Sequence, residues 1–231
     1  MFILEQKLIH HLMLNASFSK DIGFFHGQTG IALFFYHYSR HVNNPVYADF
    51  ADDLLDNILD KIHNRLPDTF SSGLTGIAWG IEYLIQNNFV AGNSNDICEE
   101  IDVRIMGLDP RRMSPEFIEK ELEGFLHYIL MRTIGSVNQS GVLPFDEIYR
   151  HDLLQVFMDL RKQEKTNETS QTFISQYLAF VSGKEALNYQ SNLLSFIDES
   201  EINGKDILSS PLGLKTGLAG LLYKQTSDRN Q

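Results

Sequence analysis

Few residues in this chain could act as nucleophile, acid or base. Cys98 is the only cysteine, and it lies in the acidic segment 95–100. Neighbouring carboxylates disfavour the thiolate, so Cys98 is predicted to be a small buried or half-buried residue and not a nucleophile. One cysteine also excludes an internal disulfide and a zinc site built from several thiolates of one chain.

The histidines offer one candidate base. His26 directly precedes Gly27 in a loop predicted to open a helix, where an imidazole could accept a proton. His37 and His127 fall in apolar runs and are predicted to be core histidines. No residue is assigned as catalytic, and His26 is the single candidate.

Loop aspartates offer a second chemistry. Paired carboxylates hydrolyse glycosidic bonds, and the candidates are Asp21, Asp68 and Asp146. Asp68 is followed by Thr69-Phe70-Ser71-Ser72, a segment equally typical of a capping turn.

Three glycine-centred segments would position these groups. They occupy residues 24–32, 71–79 and 213–220, and each reads Thr-Gly-Ile/Leu-Ala at the start of an apolar run. The spacing of Gly30, Gly76 and Gly217 fits a period near 47 residues. That period predicts two further repeats, near positions 123 and 170.

Helical patterns fill the intervals between the segments. Apolar residues recur every four positions from Val46 to Ile62, after Pro45, and Ser114-Pro115 is typical of a helix N-terminus. Alternating strand patterns are absent, so an all-α fold of helical hairpins is expected. The loop glycines are expected to adopt positive φ and allow close backbone approach. The predicted N-caps are Thr29, Thr75 and Thr216.

The three segments together resemble the lanthionine synthetase C-like family. The resemblance implies an α/α toroid whose inner helices begin with glycine-rich loops. It also implies a zinc cyclase that adds a peptide cysteine to a dehydrated Ser or Thr. The loop residues it implies for peptide binding are His26, Gly27, Thr29, Gly30, Gly73, Thr75, Gly76, Gly213, Lys215, Thr216 and Gly217.

The chain departs from the family at the metal site. The family's ligands are two cysteines and a histidine, within Trp-Cys-x-Gly and Cys-His-Gly, and neither motif occurs here. Phe25 stands before His26 where the second motif has cysteine. The expectation is therefore no bound metal and no cofactor.

Length is the second departure. Family toroids have seven hairpins, whereas this period gives five. Residues 1–231 are predicted to form one domain, an incomplete toroid or open arc. Such an arc predicts self-association or completion by a second chain.

The net charge of the chain limits the classes of partner that are expected. The net charge is −11 and the pI about 5.1, which argues against nucleic acid and anionic membranes as partners. The N-terminal residues do not read as a signal peptide and no run reaches membrane-spanning length, so the cytoplasm is expected.

The predicted function is non-catalytic: the chain binds a peptide or a partner protein, or assists a lanthipeptide-type modification pathway. One alternative is an active thioether cyclase completed by another chain. The other is a glycosidase on an α/α toroid.

Overall fold

All regular structure in the described part of the chain is helical. The computed structural model describes residues 2–62, 66–163, 166–198, 200 and 209–229, and these ranges contain no strand. The predicted all-α class is confirmed. The arrangement as a toroid or open arc stays a prediction.

Eleven α-helices and two 3-10 helices lie within the described ranges. The α-helices are α1 Phe2–Ala16, α2 Gln28–Val42, α3 Val46–Lys61, α4 Leu74–Gln86, α5 Ser94–Ile97, α6 Glu99–Met106, α7 Pro115–Lys120, α8 Leu122–Ser140, α9 Glu147–Gln163, α10 Glu168–Val181 and α11 Leu218–Asp228. The 3-10 helices are Pro110–Arg112 and Leu193–Phe196.

Five of these helices begin at regular intervals. Helices α2, α4, α8, α10 and α11 start at residues 28, 74, 122, 168 and 218, which are 46 to 50 residues apart. Helix starts therefore recur with a period near 47, and helices begin close to positions 123 and 170, where two further repeats are expected.

Helix α3 is amphipathic as its pattern predicts. Leu54 and Ile58 are buried, whereas Val46 in the first turn is 56% exposed. Asp52 on the polar side accepts a hydrogen bond of 2.5 Å from the Tyr36 hydroxyl of α2. This bond adds a polar contact to the apolar packing of α2 against α3.

The interval between α4 and α8 departs from the expected helical hairpin. It holds three short helices, α5 to α7, and the first 3-10 helix. Local caps break it up: the Asn93 side chain accepts from the Asn95 N–H, Asp109 from Arg111, and Ser114 from Phe117. Ser114 is thus the N-cap that the sequence predicts, with Pro115 as the first helical residue.

The chain divides into two compact units, and the division falls within α4. The first unit comprises Met1–Pro67, Ser71–Gly80 and Asn192–Gln231; the second comprises Asp68–Phe70 and Ile81–Ser191. The core of the first unit includes Phe34 and Trp79, and that of the second includes Tyr128 and Phe157, all fully buried.

Candidate functional site

Three glycine loops meet within the first unit. The first loop is residues 23–30, the second is 71–76 and the third is 213–220. Helix α11, which follows the third loop, packs against α2, which follows the first. The loops are therefore neighbours in space although up to 190 positions separate them along the chain.

Glycine, not threonine, stands at the start of these helices. Gly27 is the N-cap of α2 and Gly217 is the N-cap of α11, both with extended backbone. Thr29 lies inside α2, and its hydroxyl donates to the Ile22 carbonyl at 2.6 Å. Thr75 also lies within its helix, and Thr216 precedes the cap. The predicted threonine N-caps are wrong.

A repeated backbone hydrogen bond takes over the capping role. The N–H of the first helical residue donates to the carbonyl seven positions earlier: Gln28 to Asp21 at 2.9 Å, Leu74 to Pro67 at 2.9 Å, and Leu218 to Pro211 at 2.8 Å. In all three loops, a carbonyl of the preceding chain therefore satisfies a donor that a cap side chain would otherwise bind.

This bond also fixes how the loops correspond. Gly217 matches Gly27, and Gly220 matches Gly30. The expected match of Thr216-Gly217 with Thr29-Gly30 is therefore wrong by three positions. The shared pattern is Gly-x-x-x-Gly-x-x-Gly, complete in the first and third loops.

The loop glycines are needed for space and not for positive φ. Gly27 and Gly217 have φ of −105° and −129°, so the prediction of positive φ is wrong for both. A Cβ on Gly217 would lie 2.6 Å from the Pro211 carbonyl oxygen. One on Gly30 would overlap the Phe24 carbonyl oxygen, and one on Gly220 the Leu214 oxygen. The predicted close backbone approach is confirmed.

The loops bond to each other through equivalent positions. The Phe25 N–H donates to the Ser71 carbonyl at 2.8 Å, and the Lys215 N–H donates to the Phe25 carbonyl at 3.0 Å. Phe25, Ser71 and Lys215 all occupy the third position of the shared pattern, two residues before its second glycine. The backbone thus joins the third loop to the first and the first to the second.

Burial separates the predicted site residues into two groups. The buried ones are Gly27, Thr29, Gly30, Gly73, Thr75, Gly76, Gly213 and Gly217. His26 is exposed, and Lys215 and Thr216 are half-buried. Only the last three side chains can meet a ligand directly.

Three further residues reach the surface at matching positions. Phe25, Ser71 and Ser72 are half-buried, and none is in the predicted set. We call Phe25-His26, Ser71-Ser72 and Lys215-Thr216 the outward pairs. The sequence signal that finds them is the register of Gly-x-x-x-Gly, whose third and fourth positions they occupy.

An aromatic cluster supports the outward pairs. Trp79 contacts Phe24 with ring centroids 4.9 Å apart, and Phe196 contacts both rings. Phe25 joins the cluster at its edge, 5.3 Å from Phe24. The Lys215 ammonium lies 4.7 Å above the Phe25 ring, a cation–π geometry. A positive charge is therefore held at the surface of an acidic protein.

The other predicted groups have local roles. Asp21 accepts the Gly23 N–H at 2.7 Å, Asp146 accepts the Tyr149 N–H at 2.7 Å, and Asp68 pairs with Arg104 at 2.8 Å. Asp21 therefore stabilises a turn, Asp146 stabilises the start of α9, and Asp68 forms an ion pair.

His37 and His127 are half-buried, as core histidines would be. Burial lowers the pKa of each to about 4, with help from Arg40 at His37. In the second unit, His127 stacks on Phe70, contacts Phe173, and shares a 2.7 Å hydrogen bond with the Tyr189 hydroxyl.

The sequence did not reveal a buried ionic cluster in the second unit. Arg132 bonds to Glu82 and to Asp102, both at 2.8 Å, and the Tyr128 hydroxyl donates to Asp102 at 2.5 Å. Glu82 is fully buried, and burial raises its pKa. Gly135 gives it room, because a Cβ there would overlap the carboxylate. Two of the three charges carried a sequence signal: Glu82 is the one charged residue of α4, and Arg132 lies in an apolar run of α8. Asp102 carried none, because it lies among other charged residues in α6.

These residues do not fit the zinc site that the resemblance implies. Cys98 is fully buried, and burial raises the pKa of its thiol well above the ordinary range. Within the described ranges, no three His, Cys, Asp or Glu side chains are grouped so as to hold a metal ion. Whether the protein binds zinc stays a prediction.

Comparison with known proteins finds a match to a family model over part of the chain. Residues 19–119 match the family model described as lanthionine synthetase C-like protein. No curated protein and no solved structure matches the chain. Among the helices of the described residues, none is long and apolar enough to cross a membrane.

Proposed function

We propose that this chain, whose residues 19–119 match the lanthionine synthetase C-like family model, binds a peptide at the outward pairs and does not cyclise it. The single observation that carries the proposal is that three loops share one backbone framework while their surface side chains differ. A rigid framework with variable side chains is typical of a recognition surface. The pathway that we propose for it is lanthipeptide-type peptide modification.

The charge at the outward pairs favours an acidic peptide. Lys215 supplies the cation, and the Phe25 ring beneath it supplies an apolar surface. The helix N-termini add little, because the first N–H of α2, α4 and α11 is already bonded to a loop carbonyl. Recognition would then depend on side chains and not on the helix dipoles.

The chemistry of thiol activation argues against cyclisation. A cyclase must activate the peptide thiol by a metal or a base. The described residues form no group suited to zinc, and His26 is exposed with no carboxylate hydrogen-bonded to it among the contacts described. We therefore propose a binding or assisting role in the pathway.

Binding is tested by fluorescence polarisation with labelled acidic and basic peptides of equal length. The acidic peptide should bind more tightly, and the double variant His26→Ala/Lys215→Ala should weaken it about tenfold, as expected for loss of one charge-assisted contact. The control is His151→Ala/Lys162→Ala, which removes the same residue types from exposed positions of α9. Equal affinity of the two double variants would contradict the site.

Catalysis is tested on a peptide that contains dehydroalanine and one cysteine. Thioether formation leaves the mass unchanged, so the readout is whether iodoacetamide still alkylates the thiol after incubation. We expect full alkylation, and less than about 0.1 zinc per chain by elemental analysis, as one thiolate cannot supply a site of several cysteines. Loss of the thiol would favour the alternative, an active cyclase completed by another chain.

A further inference from the structure

A short segment of the first unit extends the series of hydrogen bonds between the glycine loops. We call residues 193–198 the internal segment; it consists of the 3-10 helix Leu193–Phe196 and the two residues that follow it. The Asp198 N–H donates to the Lys215 carbonyl at 2.7 Å, just as the Lys215 N–H donates to the Phe25 carbonyl at 3.0 Å. Asp198 therefore lies next to Lys215, in the position that Lys215 takes relative to Phe25.

Two apolar side chains fix the internal segment in the core of the first unit. Phe196 is 9% exposed, and its ring centroid lies 5.2 Å from that of Phe24 and 5.3 Å from that of Trp79. Ile197 lies against α11, since a Cβ on Gly220 would come within 3.3 Å of its side chain. These contacts anchor the backbone of the segment, so the aspartate that follows them is held beside the outward pairs.

The side chain of this aspartate is exposed and carries its charge at neutral pH. Asp198 accepts hydrogen bonds from the Ser200 hydroxyl at 2.6 Å and from the Ser200 N–H at 3.0 Å. These bonds hold the pKa of Asp198 below its ordinary value, and the nearby Lys215 charge acts in the same direction. Because the attraction between opposite charges is mutual, a carboxylate of the same chain partly offsets the positive charge of Lys215.

We propose that Asp198 is an internal competitor for Lys215 and weakens the binding of acidic peptides at the outward pairs. The inference rests on the proposed function, since it concerns the regulation of that same site. A peptide carboxylate that approaches Lys215 is repelled by Asp198 and must share the same cation. Removal of the Asp198 charge should therefore tighten the binding of an acidic peptide and leave that of a neutral peptide unchanged.

Fluorescence polarisation with labelled acidic and neutral peptides of equal length tests this competition. Asp198→Asn should tighten binding of the acidic peptide about threefold, as expected for one exposed charge interaction. The gain should shrink between about 0.05 M and about 0.5 M NaCl, because salt screens exposed charges. In a Lys215→Ala chain the same substitution should have a smaller effect, since the cation for which the two carboxylates compete is gone.

Asp53→Asn is the matched control, because Asp53 is an exposed aspartate of α3 in the same unit and its loss changes the net charge equally. It should change the affinity much less than Asp198→Asn, and thermal unfolding of each variant verifies its fold. The proposal is overturned if the two variants bind the acidic peptide alike, if the neutral peptide gains as much, or if the gain persists in full in the Lys215→Ala chain. In these three cases the proposed peptide binding still stands, whereas an acidic peptide that binds neither the unmodified chain nor Asp198→Asn overturns both.

Discussion

His127 shows how one side chain can couple stability to pH. Its ring lies among Phe70, Phe173 and Tyr189, and burial lowers its pKa to about 4. In an unfolded chain, histidine titrates near 6.5. Between these values the unfolded state binds the extra proton, so this contribution to stability is present above pH 6.5 and is lost as pH falls towards 4.

Replacing this ring should therefore flatten the acid side of the stability profile. Free energies of unfolding from urea titrations at pH 7, 6, 5 and 4 should fall less steeply for His127→Phe than for the unmodified chain. One proton corresponds to at most about 1.4 kcal/mol per pH unit. At pH 7 and above, the two profiles should have the same slope. Parallel profiles over the whole pH range would show that the imidazole takes up its proton as readily in the folded protein as in the unfolded chain.

Single residues were predicted best where the environment is local. The acidic segment around Cys98 suggested an unreactive thiol, and the structure buries it. Phe25, Ser71 and Ser72 were missed because their importance depends on contacts between loops distant in sequence. Arg132 was missed because the sequence of an apolar helix does not indicate which acidic residues pair with its one arginine.

The helices that follow the glycine loops depend on small residues one turn inside. A Cβ on Gly30 would overlap the Phe24 carbonyl and lie 2.7 Å from the Leu214 Cβ, so backbone or helix must move. Gly141 differs: its φ is +69°, and a Cβ added there would have no other heavy atom within 4 Å. Substitution of Gly30 therefore tests the cost of steric overlap, and substitution of Gly141 tests the cost of backbone conformation.

Gly30→Ala should accordingly cost more stability than Gly141→Ala. We expect a loss of about 3 kcal/mol or more from overpacking and about 1 kcal/mol from the left-handed backbone, measured by urea unfolding at neutral pH. Peptide binding should weaken with Gly30→Ala only, since that glycine positions the first loop. Similar losses for both variants would mean that the loop relaxes readily.

The repeat period predicted the helices because each small residue recurs at the same turn. It could not predict the register of the third loop, since Thr216-Gly217 imitates Thr29-Gly30 in sequence. Only the backbone bonds from Leu218 to Pro211 and from Gln28 to Asp21 distinguish them. Of the helix starts between α4 and α8, the one at Ser114-Pro115 was predicted from the sequence. The starts capped by Asn93 and Asp109 were not predicted.

For the whole chain, the net charge and the exposed apolar side chains have opposite effects on self-association. The charge of −11 disfavours contact between copies, whereas Phe18, Leu14 and Ile148 are 84%, 70% and 76% exposed. Salt screens the repulsion and leaves the apolar attraction in place.

Self-association should therefore increase with salt. Sedimentation velocity at about 0.05 M and about 0.5 M NaCl, where the Debye length shortens severalfold, should show a larger share of species above 26.4 kDa at the higher concentration. A monomer at both concentrations would contradict the expected homo-oligomer and leave completion by a different chain as the remaining route.

The equivalence of the first and third loops has an evolutionary consequence. The two loops share the glycines that allow close backbone approach: Gly23 and Gly213, Gly27 and Gly217, and Gly30 and Gly220. The two positions directly before Gly27 and Gly217 carry Phe-His in one copy and Lys-Thr in the other. Mutation can therefore change the side chains presented at these positions while the glycines that allow the close backbone approach stay in place.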